Sequence, residues 1–430
     1  MRTRYFRYLF ENLDEGLFHS GCIYDKENGK STNYIYMAGN YCRNLKPKKV
    51  RNVESEKETI PEVVDILIMG GYSIAYIKRL IYIVKNFEVK KVILPYFAPI
   101  QRLVLTEYII ERDEYAKECV HYLQDPYAFL REIGIENIYF LYNNDAGLYR
   151  EPEELPEGCR FEPADAQTLH LVKEMEGYEL PVVKAGYIIE NKWLFYFGSY
   201  GLELQVLSEF TKEYFRHAEH VHHTLHGKTN DYMHQMQELI QEYIRKFGSA
   251  SATSIAMFLG PLYGSPREND SFMVEKEFSR RERCKAWLKQ KHDNCCTCVI
   301  RCMHDKDYDI MQHHKDIGRD EPRFGMLLLG NVNLKMFYSQ VADRFQKLRT
   351  RVRGIAIPNC GNKEDWNVNI LQMSSAQERI YWICTRHDTT APIVVNDIVL
   401  YSSNNRFLCL DKEMGSCISG YIVPKEEDMA

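Results

Sequence analysis

No apolar run in the chain is long enough to cross a bilayer. The most hydrophobic stretch, ILIMGGYSIAYIKRLIYIV, is interrupted by Lys78 and Arg79 and falls short of the roughly 20 apolar residues a spanning helix needs, so no membrane role is expected. No secretory leader is read either, because MRTRYFRYLFENLDEGLF is broken by Arg, Glu and Asp. The 13 cysteines are an odd number and argue for the reducing cytoplasm rather than for a disulfide framework. A dominant charge is missing as well. A formal net charge of -5 gives no global mark of a nucleic-acid binder, which leaves local basic runs to be weighed. Internal repeats and low-complexity tracts are absent. What remains is an ordinary globular composition, 45% hydrophobic and 27% charged over 430 residues, enough for a large core.

The segment VDILIMGGYSIAYIKRLIYIVKNFEVKKVILPYF, residues 64–97, reads as strand, glycine turn, helix and strand. Residues 65–69 are apolar, Ile77, Leu80, Ile81 and Val84 fall at helical spacing, and 90–94 are apolar again. Such a unit opens a layered α/β architecture. Upstream, 17–24 and 33–37 read as a hairpin around a polar turn. Downstream, 101–135 and 203–247 read as mostly helical, and IENIYFLY, NKWLFYFGSY and SIAMFLGPLYG as strands. FGMLLLGNVN, VRGIAIPNCGN, RIYWICT and IVVNDIVLYS read as four more strands. Between them, 265–322 is charged, Cys/His-rich and poor in β signals, and reads as an insertion.

Five landmarks follow one another in this frame: IYMAGNYC, ILIMGGYSIAYI with its following VKKVILPYF, SATSIAMFLGP, LLLGNVN, and IAIPNCGNKEDWN. In this order they resemble the metallo-β-lactamase fold, in the branch of bacterial hydrolases found near mobile-element and phage-defence genes. The resemblance covers about residues 16–392. It implies an α/β, four-layer αββα sandwich built from the whole chain, 1–430, with the Cys/His-rich segment as an addition. It also implies where metal ligands would stand. Met37 takes the place of the aspartate in the family's Tyr-Asp-Cys-Gly turn. Gly71, Ser73, Ala75 and Tyr76 take the four metal-binding positions of Ser-His-x-His-x-Asp-His. Asn331 replaces the bridging aspartate of Leu-Leu-x-Gly-Asp, and Asn359 and Cys360 replace the paired histidines of Pro-His-His-Gly-Ser.

Hydrolases of the family hold one or two zinc-type ions with imidazoles and carboxylates, which lower the pKa of a bound water. Glycine and alanine offer no donor, and Ser, Tyr and Asn are poor ligands for such ions. The implication is a kept fold with the ordinary binuclear site lost, no cofactor in the cleft, and Tyr72 and Tyr76 filling part of the former metal volume.

Other segments could carry chemistry. RHAEHVHHTLHGKTNDYMH gathers six histidines between His217 and His234; on a helix His222 and His226 are i,i+4 neighbours. The plain alternative is a solvated face titrating near neutrality. In HDNCCTCVIRCMHDKDYDIMQHH, Cys295, Cys298, Cys302 and His304 have spacing for a structural zinc, with Cys284, Cys296, His292, His313 and His314 nearby. The alternative is a set of reduced thiols. Cys360 reads as a pocket or core cysteine, since a nucleophile needs a base in reach. SRRERCKAWLKQKH and RFQKLRTRVR are basic; Arg349, Arg351 and Arg353 are candidate phosphate contacts, set against a solvated helix end.

The favoured expectation is a pseudo-enzyme: a scaffold, sensor or regulatory subunit with protein partners, on the precedent of inactive copies of this fold paired with active ones in RNA 3′-end processing. Phage defence is the setting the resemblance implies. Two alternatives stand beside it. One is a nuclease or phosphodiesterase with a site rebuilt from Cys360, Asp365, His387 and the histidine-rich segment. The other is a sensor whose emptied cleft binds a nucleotide, which stabilisation by saturating nucleotide would reveal.

Overall fold

The fold is that of a computed structural model, which describes residues 4–13, 16–25, 28–39, 60–107, 116–142, 156–213, 229–247, 253–262, 268–279, 325–373, 380–385, 392–401, 406–410 and 414–424. The chain starts with three antiparallel strands, β1 (Arg4–Leu13), β2 (Gly16–Asp25) and β3 (Lys30–Gly39). β2 and β3 are the expected hairpin. β1 was not expected, yet its Phe6, Tyr8 and Phe10 are buried at every second position, which is the period a strand imposes.

A short strand β4 (Val63–Val64) precedes β5 (Ile66–Met69), the turn at Gly70 and Gly71, and α1 (Ile74–Asn86). β6 (Glu88–Val89) pairs with β4, and β7 (Lys91–Pro95) lies parallel to β5. Helices α2 (Pro99–Glu107), α3 (Ala116–Gln124) and α4 (Pro126–Glu132) lead to β8 (Asn137–Leu141). Then come β9 (Gly158–Pro163), α5 (Ala166–Glu176), β10 (Val182–Glu190) and β11 (Trp193–Tyr200). Helical backbone over 204–213 and α6 (Thr229–Phe247) precede β12 (Ser254–Pro261) and β13 (Glu268–Ser279).

The second half contains β14 (Gly325–Leu328), α7 (Leu334–Phe345), a 3-10 turn η1 (Gln346–Arg351) and β15 (Val352–Ala356). Two further 3-10 turns, η2 (Pro358–Gly361) and η3 (Val368–Met373), precede β16 (Tyr381–Thr385), α8 (Pro392–Tyr401), β17 (Arg406–Leu410) and β18 (Met414–Pro424).

The chain is mixed α/β. One large sheet runs in the order β13-β18-β1-β2-β3-β5-β7-β8-β10-β11-β12-β14-β15-β16-β17, with β9 beside β10. Its pairings are parallel from β3 through β5, β7 and β8 to β10, and again from β14 through β17; the others are antiparallel. Alternate side chains sort into three cores. Ile35, Met37, Leu67, Met69, Val92 and Leu94 face α1 residues such as Ile77 and Leu80. Their strand neighbours Tyr34, Tyr36, Ile66, Ile68 and Ile93 instead meet Phe195, Phe197, Ile255 and Met257. A third core sets Leu194, Tyr196, Phe258, Leu327 and Ile355 against Val341 and Phe345 of α7 and Val394 and Ile398 of α8.

The middle core is supplied by strands alone, and specific contacts tie its two sides. The Phe195 and Tyr34 rings meet edge-on with centroids 5.1 Å apart, and Trp193 Nε1 donates to the Tyr8 hydroxyl at 2.8 Å. Trp193 and Tyr8 thus bury their apolar bodies while their polar atoms pair with each other.

Two expectations fail. IVVNDIVLYS is a helix, α8, and not a strand. Its β-branched run favours strand locally, but Val394 and Ile398, at i,i+4 spacing, are buried, and Asp397 Oδ2 accepts from Trp366 Nε1 at 3.0 Å. Tertiary packing of one face overrides propensity here. The segment 265–322 also contains a strand, β13, paired with β18 over ten register positions. Its remainder, with the cysteine and histidine cluster, lies outside the described residues, as do His387 and the histidines at 217–226. No helix among the described residues is long and apolar enough to cross a membrane. Among them Cys22, Cys119, Cys159 and Cys384 are not joined in disulfides.

Candidate functional site at the converging strand ends

The carboxyl ends of β3, β5, β14 and β15 converge, and this places Met37, Gly71, Asn331 and Asn359 together. Backbone contacts set the arrangement. Gly70 N donates to Met37 O at 2.5 Å, Gly71 bridges to Ser254, and Ile255 N donates to Gly70 O at 3.0 Å. Ser254 Oγ donates to Gly70 O at 2.5 Å and accepts from Asn331 N at 2.9 Å. One hydroxyl therefore joins the loop after β5 to the loop after β14.

Two glycines make the approach possible. A Cβ on Gly71 would stand 2.7 Å from Asn331 Cγ, so the Asn331 amide occupies the space where a side chain at 71 would begin. Gly330 has φ +57°, and a Cβ there would stand 2.6 Å from Gly70 O and 2.6 Å from the Tyr36 hydroxyl. Glycine alone tolerates both the left-handed backbone and that closeness.

The loop after β15 joins through amides. Asn359, itself at φ +47°, donates from its backbone to Gly330 O at 3.2 Å and from Nδ2 to Asn331 O at 3.0 Å. Asp365 is the hub. Its Oδ1 accepts from Asn333 Nδ2 at 2.7 Å, and its Oδ2 accepts from Asn362 Nδ2 at 2.9 Å and Asn359 Nδ2 at 3.2 Å. Three of a carboxylate's roughly four acceptor sites are thereby filled, which leaves it poorly placed as a general base. Asn333 also caps α7, accepting from Lys335 N and Met336 N at 3.0 and 3.2 Å. Cys360 sits in η2, beside Asn359.

The remaining aligned positions do structural work on the helix side. Ser73 is the N-cap of α1, with extended φ -148°, and its Oγ accepts from Tyr76 N at 3.3 Å. Ser73→Ala is therefore expected to cost about 1 kcal/mol of stability in urea denaturation, with Ser73→Asp close to neutral. Ala75, two residues on, is half-buried. Tyr76 is buried, with the Arg79 guanidinium 5.3 Å from its ring centroid and 5.8 Å from that of Phe18. Tyr72 stacks on Phe97 at 4.3 Å and donates to Pro95 O at 3.1 Å; burial holds its phenol well above the usual tyrosine range. Both rings belong to the α1-side core. The Asn331 side chain abuts Gly71.

The basic run 344–353 behaves differently from the expected phosphate-contacting surface. Arg344 Nε and Nη2 both donate to Phe197 O, at 3.1 and 3.0 Å, and its guanidinium lies 4.3 Å from the Tyr196 ring centroid. Arg351 and Arg353 are 5% and 4% exposed, and Arg353 Nη1 donates to Thr350 O and Val352 O. Of the three candidate contacts only Arg349 is exposed. Arg351 also ends η1, immediately before β15, so the strand's length, roughly 17 Å at about 3.3 Å per residue, separates it from the loop of Asn359.

A polar groove of about 820 Å³ opens at the opposite ends of the strands, lined by Asp25, Lys30, Thr32, Lys90, Glu190 and Lys192 among others. Two of its charges are matched within the fold: Lys90 Nζ pairs with Asp65 and Glu190 with Lys91 Nζ, each at 2.7 Å.

Ser254, Asn333 and Asn362 complete the convergence but carry no distinguishing signal in the sequence, where Ser and Asn are common loop residues. Only Asn333 could have been found, as an N-cap before an apolar-periodic run. Among the described residues no three His, Cys, Asp or Glu side chains come together as a metal-ligand group. No protein-family profile, curated protein or solved structure matches the chain.

Proposed function

We propose that the chain is a degenerate metallo-β-lactamase-like protein with a four-layer αββα architecture, acting as a scaffold, sensor or regulatory subunit rather than as a metallohydrolase. The observation that carries this reading is the Asn331 amide, packed into the space a side chain at Gly71 would need. Two positions that would offer metal ligands in a working enzyme exclude one another here. The sorting of apolar side chains into a strand-only core flanked by two helix-covered cores supports the architecture. The landmark order supports the family, and through it a protein partner and a setting in bacterial phage defence; this rests on analogy of fold.

A rebuilt hydrolase would need Asp365 free to act, and its engagement by three amides weighs against that. The test is hydrolysis of an activated phosphodiester with Zn²⁺ or Mn²⁺ supplied, by the full chain and by Asp365→Asn and Asn359→Ala variants. The expected rate is the background rate for all three. Metal-dependent turnover lost in either variant would overturn the reading.

A further inference from the structure

Arg102 of α2 and Glu176 at the end of α5 form an ion pair buried on both sides, with side chains 5% and 4% exposed. The pair lies by the carboxyl ends of the parallel strands β7 and β8, where open α/β sheets receive ligands. Tyr96 follows β7 directly, its backbone N donates to Leu141 O at 2.8 Å, and its hydroxyl donates to Glu176 Oε1 at 2.9 Å. Arg102 Nη2 donates to Glu176 Oε2, and Nη1 to Gln124 O. The neighbouring carboxylate, Asp125, is engaged elsewhere. It accepts from Ala128 N at 2.9 Å as the N-cap of α4 and from the Tyr178 hydroxyl at 2.6 Å.

Glu176 fills this set of donors incompletely. Arg102 Nε is buried and has no partner among the described residues, so it has given up its hydration with nothing in return. Nε and Nη2 lie on one edge of the guanidinium, the fork that two oxygens of a single anion fill together. With the Tyr96 hydroxyl, three donors face a carboxylate that has two oxygens. Burial also raises the Glu176 carboxyl above its ordinary range, outweighing the Arg102 charge and the hydrogen bonds it accepts, so its charge is better accommodated in water. Release needs only a side-chain rotation. The residue as a whole is half-buried, Gly177 beside it faces open space, and of the α5 residues only Val172 is buried.

We propose that Glu176 is the built-in occupant of a phosphoryl-binding site formed by Arg102 Nε, Arg102 Nη2 and the Tyr96 hydroxyl. A phosphoryl group carries three terminal oxygens, one for each donor, where a carboxylate carries two. Its arrival turns Glu176 out to solvent and gives the orphaned Nε a partner, and one anion replaces another beside Arg102. The inference names a ligand class for the sensor form of the proposed function and takes its purpose from that reading. It uses none of the amide-linked loop residues, so the binding test here and the hydrolysis test above can fail separately.

The experiment is equilibrium dialysis of the full chain against radiolabelled inorganic phosphate, with acetate and AMP as competitors. Glu176→Ala should bind phosphate roughly tenfold or more tightly than the unaltered chain, because the ligand no longer works against a latch closed in about nine molecules of ten. Glu176→Gln, which keeps an acceptor for Arg102, reads the same gain should the alanine variant not fold. Glu179→Ala removes an equal charge from an exposed position nearby and should leave the affinity unchanged. The paired Arg102→Met/Glu176→Met variant should bind no phosphate; both partners are removed together because either one alone would be left as an uncompensated buried charge. Acetate should not compete. Competition by AMP assigns the site to a phosphate monoester, and its absence to the free ion. Equal phosphate affinity with and without Glu176, phosphate retained by the paired variant, or displacement by acetate as effective as by unlabelled phosphate would overturn the inference.

Discussion

Gly330→Ala should destabilise the fold by roughly 3–5 kcal/mol, combining left-handed strain with overpacking. The backbone there holds φ +57°, and the added methyl carbon would meet a carbonyl, Gly70 O, at 2.6 Å, with Ser254 Oγ at 2.8 Å on the other side. The carbonyl cannot step aside without breaking its bonds from Ile255 N and Ser254 Oγ. Gly29 provides the control, because it has φ +65° but no atom within 4 Å of the added carbon. Gly29→Ala should therefore cost only the backbone strain, about 1–2 kcal/mol. Urea midpoints of the two variants separate strain from crowding. Equal costs would mean that the loops after β5 and β14 are not locked together.

The second large effect is on acid stability. His19 lies between β1 and β3 with Nδ1 2.9 Å from Leu9 O and Nε2 2.9 Å from the Tyr34 hydroxyl, stacked on Phe10 at 4.3 Å. Burial lowers its pKa to about 3, against a small raising effect from the Leu9 carbonyl. The unfolded chain takes up this proton near pH 6.5, while the folded chain refuses it until about pH 3. Stability is thus full above pH 6.5 and falls as the pH drops through that window, by about 1.4 kcal/mol per pH unit. Carboxylates elsewhere also respond to acid, so the informative quantity is the difference between the unaltered protein and His19→Gln, which still offers a donor to Leu9 O but does not titrate. That difference should shrink steadily between pH 6.5 and about 3. A constant difference would show that the folded chain protonates His19 without penalty.

The sequence was most readable where one face of an element is buried and the other is not. Ile77, Leu80, Ile81 and Val84 announced α1, and the structure buries all four. β1 was missed because Arg7 and Glu11 interrupt the hydrophobicity, although the alternation of Phe6, Tyr8 and Phe10 was there to be counted. α8 was misread because a run rich in Ile and Val has the same local look in a strand and in a helix buried on one side. Arg351 and Arg353 were read as surface because basic residues usually are; here the start of β15 is enclosed, and backbone carbonyls take up the Arg353 guanidinium.

The candidate site was half legible. Met37, Gly71, Asn331 and Asn359 could be grouped from landmark order, and they do converge. The hub role of Asp365 and the bridging role of Ser254 could not be read, because both depend on contacts between residues far apart in the chain. Asp365 reaches back to Asn333, and Ser254 to Gly70.

The central claim is that these loops hold each other through amides and a hydroxyl where a metallohydrolase would hold an ion. The direct measurement is anomalous diffraction from crystals of the full chain grown with Zn²⁺ or Mn²⁺. The account predicts no anomalous peak among Met37, Gly71, Asn331, Asn359 and Asp365, with the Asn331 amide still against Gly71, whether or not zinc occupies Cys295, Cys298, Cys302 and His304. A peak at the converging loops, with Asn331 displaced and Asp365 released from its amides to ligate it, would contradict the account.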